Sequence, residues 1–216
     1  RDIGVTGVQT CALPICFVFK ERINYTNQVR NGDAENFFGR PIMSTMSANI
    51  PFNLSAIDTA TSTANVIVRI QGFSAGIHSV TVTLNGQSLG TIQGAGQLNV
   101  AQTFSVPTSL LQQGANSMLL AATGPNPDTN LFDTLTVEFP RKHVMEGGKL
   151  DFYTVGNRGA TLSGLTSPNV RLIDTTFEGD PIEVIGLNPV ESNGTFSVQI
   201  PAARPKTYHV FEPSQL

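Results

Sequence analysis

The sequence predicts an all-β chain built as two β-sandwiches in tandem, and three observations carry that prediction. Only 13% of the 216 residues are charged while 40% are hydrophobic, and 20 Gly with 13 Pro favour turns over helices. Apolar residues recur with period two, as half-buried antiparallel strands require. Clusters of turn residues separate these runs at short intervals.

From Asn65 onward strand signals dominate. In NVIVRI, Val66, Val68 and Ile70 share one face, and in HSVTVTLNG, Val80, Val82 and Leu84 do the same. Asn85-Gly86 supplies a type I′ hairpin turn, because both residues tolerate the positive φ such a turn demands. Leu89 and Ile92 read as the returning strand. After the Gly-rich QGAGQ, LNVAQTFSVP reads as a strand ended by Pro107, and SLLQQGAN as a single helical turn closed near Gly114. Residues 118–122 and 131–139 complete the set, with Leu135, Val137 and Phe139 on one face.

The segment PRKHVMEGGK, residues 140–149, breaks the pattern: its charge, Pro140 and the Gly147-Gly148 pair mark a linker or a tight domain junction. Beyond it, KLDFYTV, ATLSGL, NVRLIDT, PIEVIGL, GTFSVQIP and TYHVFEP are six short β-type runs spaced by turn residues. The expected organisation is therefore a jelly-roll β-sandwich over 17–141 and a small immunoglobulin-like β-sandwich over 142–216.

Residues 1–16 are expected to be an artefact. Residues 5–15 match, codon for codon, the constant arm of a sequencing-library indexing primer, and Arg1 and Asp2 fit the primer stretch upstream. The adapter's last base also supplies the first base of the Cys16 codon. An assembled, fragmentary reading frame with its native N-terminus missing is implied, and the segment is set aside as a fusion scar would be. The C-x4-C pair of Cys11 and Cys16 is discounted with it.

Composition excludes several functions. A net charge of -3 without any Lys/Arg cluster argues against a nucleic-acid partner. No apolar run approaches the roughly 20 residues of a membrane span. No cysteine follows Cys16, which removes a thiol nucleophile from the rest of the chain. His78, His143 and His209 share no metal-ligand spacing and read as structural. The run GFSAG at residues 72–76 has the G-x-S-x-G spacing, but it joins two β-type runs and so lacks the strand-to-helix turn by which a nucleophile elbow strains a serine against a base. No catalytic residue is assigned, and this chain is not expected to be an enzyme on its own.

One chemical role is suggested by the otherwise irregular region 17–65. NGDAENFFG packs two acids, two amides and two adjacent aromatics between glycines. Asn31, Asp33 and Glu35, with Asn36, offer the hard oxygens that Ca²⁺ accepts at six to eight positions. Jelly-rolls bring an early loop close to the closing strand, so Asp128 and Asp133 are candidates to complete a calcium site. The alternative is a loop tied by Asx-type hydrogen bonds, with Phe37 and Phe38 plugging the sandwich.

The runs LNGQSLGTI, FSVPTSLLQQGANSMLL and DTNLFDTLTVEF resemble the last strands of jelly-roll domains with a galactose-binding-like fold. A resemblance covering nearly all of the genuine chain rests on KERINYTNQVRNGDAENFFG, LNGQSLG, VPTSLLQQGAN, VRLIDTT ahead of PIEV, and YHVFEPSQL. In order and spacing these look like the β-rich region that precedes the catalytic domain of bacterial gingipain-like cysteine peptidases. The resemblance implies a non-catalytic accessory region of a secreted parent, partnered by a peptidase domain of the same chain that carries the family's Cys and His. Neither catalytic position has a counterpart here. A carbohydrate-binding or adhesin-type surface module, contacting glycan or protein, is the alternative; the absence of Trp and the presence of only three Tyr count against glycan platforms.

Overall fold

Alternating burial along each strand builds the first sandwich. A computed structural model describes residues 15–29, 34–60, 63–154, 159–201 and 204–215, and the chain divides into two compact units between Pro140 and Arg141. The adapter-like residues 1–14 lie outside the described residues. The first unit contains β1 (Ile15–Phe19), β2 (Asn24–Tyr25), β3 (Phe37–Phe38), β4 (Pro41–Met43), β5 (Ala48–Leu54), β6 (Thr63–Gly72), β7 (Ile77–Leu84), β8 (Gln87–Ala95), β9 (Asn99–Pro107), β10 (Gly114–Ala122) and β11 (Thr129–Phe139). One sheet has the order β1-β11-β6-β9, with β4 also on β11; the other has the order β5-β10-β7-β8.

Both sheets contribute to one core. Val66, Val68 and Ile70 from β6 and Leu135, Val137 and Phe139 from β11 pack with Val80, Val82 and Leu84 from β7 and Met118 and Leu120 from β10. These are the faces that period two marks in the sequence. Asn85 (φ 49) and Gly86 (φ 84) make the β7–β8 turn, both in the left-handed region that a type I′ hairpin requires. The helical turn is a single 3-10 turn at Thr108–Leu110. Gly114 (φ 83) does not close it but opens β10.

Strand β5, which lies in the irregular region, alternates buried Ala48, Ile50, Phe52 and Leu54 with exposed Asn49, Pro51 and Asn53. It is an edge strand, and Pro51 tolerates that place because edges can spare a backbone donor.

The second unit contains β12 (Lys149–Thr154), β13 (Ala160–Leu165), β14 (Arg171–Asp174), β15 (Ile182–Val184), β16 (Val190–Ser192), β17 (Thr195–Ile200) and β18 (Lys206–Phe211). Its sheets run β12-β18-β14-β15 and β13-β17-β16, closing on a core of Leu150, Phe152, Leu162, Leu165, Leu172, Val198, Tyr208 and Val210. The segment before β12 joins this core: Met145 is buried, its amide donates to Ser163 O at 2.8 Å, and Ser163 N donates to His143 O at 2.9 Å. Gly164 (φ 75) allows the bulge in β13 that brings this backbone close. The fold is thus all-β, a jelly-roll sandwich followed by a small immunoglobulin-like sandwich.

Candidate functional site

A β-bulge in the closing strand places one of the candidate acids of the first sandwich. Along β11 the register to β6 runs Phe132↔Ile70 and then Thr134↔Arg69, so Asp133 is the extra residue. A bulge flips the inward face of a strand by one residue and re-aims the side chain at the kink. Inward residues are therefore Leu135, Val137 and Phe139 on one side of the bulge, but Asn130 and Phe132 on the other.

Asp133 meets Lys20, which follows β1. Lys20 Nζ donates to Asp133 Oδ1 at 2.7 Å and lies 2.6 Å from Glu35 Oε1. Arg22 Nε donates to Glu35 Oε2 at 3.0 Å. Asn99 Nδ2 donates to the second oxygen of Asp133 at 2.8 Å. The hydrogen bonds from Lys20 and Arg22 hold the Glu35 carboxyl below its ordinary value. The structure therefore brings two of the expected calcium ligands, Glu35 and Asp133, onto one ammonium group.

Asp128 stands in a different network. Its carboxylate accepts His78 Nδ1–H at 2.8 Å, Ser79 N–H at 3.1 Å, Gly124 N–H at 2.9 Å and the Asn130 amide at 2.7 Å. Burial alone pushes this carboxyl up, but the donors from His78, Ser79, Asn130 and Gly124 outweigh it and hold it below the usual value. His78 Nε2 faces the carbonyls of Ser74 and Gly96 at 3.1 and 3.0 Å. Carbonyls only accept, so Nε2 carries the hydrogen that faces them, while Nδ1 faces the Asp128 carboxylate. Two glycines make room: a Cβ at Gly72 would lie 2.7 Å from His78 Nε2, and one at Gly124 would collide with the Asp128 carboxylate.

Asn31 and Asp33 lie outside the described residues. Among the described residues no three His, Cys, Asp or Glu side chains converge as a metal centre would. In the same loop Phe38 is buried, whereas Phe37 is exposed and its ring sits 5.1 Å from that of Tyr25. Gly39 is held tightly, since its Cβ would lie 2.7 Å from the Phe132 ring.

The other histidines are spread over the second unit. His209 contacts Asp151 at 2.6 Å on the surface, and the His143 ring packs 4.8 Å from that of Phe152. Sequence reasoning missed the His78–Asp128 pair and the role of Lys20, because each joins residues far apart along the chain. No described helix is long and apolar enough to cross a membrane.

Neither protein-family models nor curated proteins give a match to this chain. Among solved structures, dimeric latent PorU from Porphyromonas gingivalis is similar over 98% of this chain, with a TM-score of 0.63 and 10% identity. This chain spans only 22% of that one. The likeness is one of fold, and it runs through both sandwiches. Smaller likenesses are to the CBM36-1 domain of a multidomain xylanase from the hindgut metagenome of Trinervitermes trinervoides (TM-score 0.38, 13% identity, 56% of this chain and 95% of that one). A GH26-CBM35 β-(1,4)-mannanase of Podospora anserina also matches (TM-score 0.38, 11% identity, 71% of this chain and 31% of that one).

Proposed function

We propose that this chain is a non-catalytic accessory region of a secreted gingipain-like cysteine peptidase, packing against and supporting the peptidase domain of the same polypeptide. The observation that carries the reading is the shared order of two sandwiches with a PorU chain over 98% of this sequence, alongside the motif order from KERINYTNQVRNGDAENFFG to YHVFEPSQL. In this role each sandwich contributes its own well-packed core, while the reacting groups belong to the neighbouring domain. The test is the reading frame beyond Leu216 followed by co-expression. A Cys/His peptidase domain whose stability rises with this region attached is the expected result; a frame that continues into further β-domains without one removes the reading.

A second reading, glycan binding, is favoured by one surface. The outward positions of the β5-β10-β7-β8 sheet include Asn49, Ser79, Thr81, Thr83, Thr91, Gln93 and Ser117, and none of the outward residues of these strands is charged. Neutral hydroxyls and amides both donate and accept, as an uncharged sugar chain does. Calorimetric titration with neutral oligosaccharides, with and without Ca²⁺, decides it: heat that disappears in Thr81→Lys keeps the reading, and no heat removes it.

A further inference from the structure

We propose that the edge of the second sandwich over residues 177–191 is a docking surface for an extended polypeptide segment that alternates basic and apolar side chains. Strands β15 and β16 end their respective sheets, so each is paired on one side only. Such edges are templates for an added strand, and proteins normally blunt them with lysine or by covering them. Neither strand carries a lysine.

Four of the exposed side chains along this stretch are large and apolar. Phe177 is 59% exposed, Ile182 55%, Ile185 86% and Val190 61%. Single exposed hydrophobes are ordinary, but four within one short stretch of edge mark an interaction surface.

Charge selects the occupant. Between Arg171 and Arg204 the sequence has no Lys, Arg or His, yet it carries Asp174, Glu178, Asp180, Glu183 and Glu191. Asp174 is paired with Lys206, and Glu183 accepts two hydrogen bonds from Arg171 at 2.8 and 2.9 Å. Arg204 lies over the Phe177 ring, 5.9 Å from its centre. Glu178, Asp180 and Glu191 have no ion pair among the described residues. A second copy of this edge, or an anionic lipid surface, would set negative charge against negative charge. A chain in extended form would meet the strand edge with its backbone, the isoleucines with apolar side chains and the three acids with lysine or arginine. Such docking is a role additional to the accessory one.

The test uses the full chain, labelled with nitrogen-15, titrated with an acetylated peptide of alternating Lys and Val, and with a Glu-Val counterpart as control. The expected result is amide shifts confined to β15, β16 and the loop at 175–181 with the Lys-Val peptide only, weakened by salt. Ile185→Lys, on a side chain already in solvent, is expected to reduce affinity about tenfold or more, equivalent to about 1.4 kcal/mol. Shifts elsewhere, equal binding of both peptides, binding unchanged in Ile185→Lys, or no binding at all would overturn the proposal. So would phosphatidylserine vesicles shifting the same amides.

Discussion

His78 donates to Asp128 at 2.8 Å across 50 residues of chain, and the pair is almost wholly removed from solvent. Asp128 also collects two backbone amides and the Asn130 side chain, so its removal takes the acceptor from four donors at once, those of His78 and Asn130 being buried. Removing the acceptor from buried hydrogen-bond donors costs about 1–3 kcal/mol, and more where a charged group is involved. Asp128→Ala is therefore expected to destabilise the first sandwich by that amount, read as a lowered urea midpoint. Gly124→Ala should act in the same direction, since its new methyl occupies the place of the carboxylate. An unchanged midpoint in both variants would show that the pair does not hold the fold.

Acid should act on both sandwiches for one reason. Burial tends to raise Asp128 and Asp174, yet in each case the hydrogen bonds prevail and the folded carboxyl lies below its ordinary value; for Asp174 the donors are Lys206 and Thr176. A carboxyl depressed in the folded state contributes stability that is complete above its unfolded pKa, near 3.9. That stability is lost as pH falls through the folded value. Thermal midpoints are expected to be flat on this account above about pH 5 and to fall below about pH 4. In Asp174→Asn the acid-dependent part of the second sandwich's fall should shrink; a slope identical to the parent's would exclude Asp174 as its source.

Local pattern made the sheets legible, and distance in sequence hid the site. Val66, Val80 and Leu135 declare their faces through alternation that needs no tertiary knowledge. In β5 the same alternation is present as Ala48, Ile50, Phe52 and Leu54, but Pro51 masks it, and only the edge position of the strand explains why proline is tolerated. The three-residue β16 is too short to show any period, and all of it is exposed. Asp133 could be suspected as a site residue from its place among LFDTLTVEF, yet the bulge that aims it and the Lys20 it meets, 113 residues away, leave no local signal.

Lys20 joins two acids that would otherwise repel. Its side chain is 18% exposed, between Asp133 at 9% and Glu35 at 38%. Lys20→Met keeps the apolar stem and removes the charge, so that Asp133 keeps the neutral Asn99 amide as a donor but loses the ammonium. A loss of about 1–3 kcal/mol is expected, the scale for stranding a buried polar group. The same change makes the site a better host for a hard divalent cation, which oxygen ligands prefer. Millimolar Ca²⁺ should then raise the thermal midpoint of Lys20→Met more than that of the parent. Equal shifts would place any calcium binding away from Glu35 and Asp133.

Asn85 and Asn116 explain why the LNG hairpin and the GAN corner occur together in this sequence. Asn85 Nδ2 donates to Asn116 Oδ1 and to Leu110 O, both at 2.8 Å, and Asn85 Oδ1 accepts Ser117 N–H at 2.9 Å. Asn116 in turn donates to Gln112 O and Gly114 O at 2.7 and 3.0 Å, and accepts Gln112 N–H at 2.9 Å. Two amides thus tie the β7–β8 turn to the backbone that leads into β10, and Asn116 is buried. Asn116→Ala removes the hydrogen bonds by which this side chain holds Gln112, Gly114 and Asn85 together, so a cost of about 1–3 kcal/mol is expected. Because Asn85 and Asn116 share one network, the double variant should cost less than the sum of the singles, with a coupling of about 0.5–3 kcal/mol in a double-mutant cycle. Strict additivity would mean that the turn and the corner are held independently, and that their co-occurrence in the sequence has another cause.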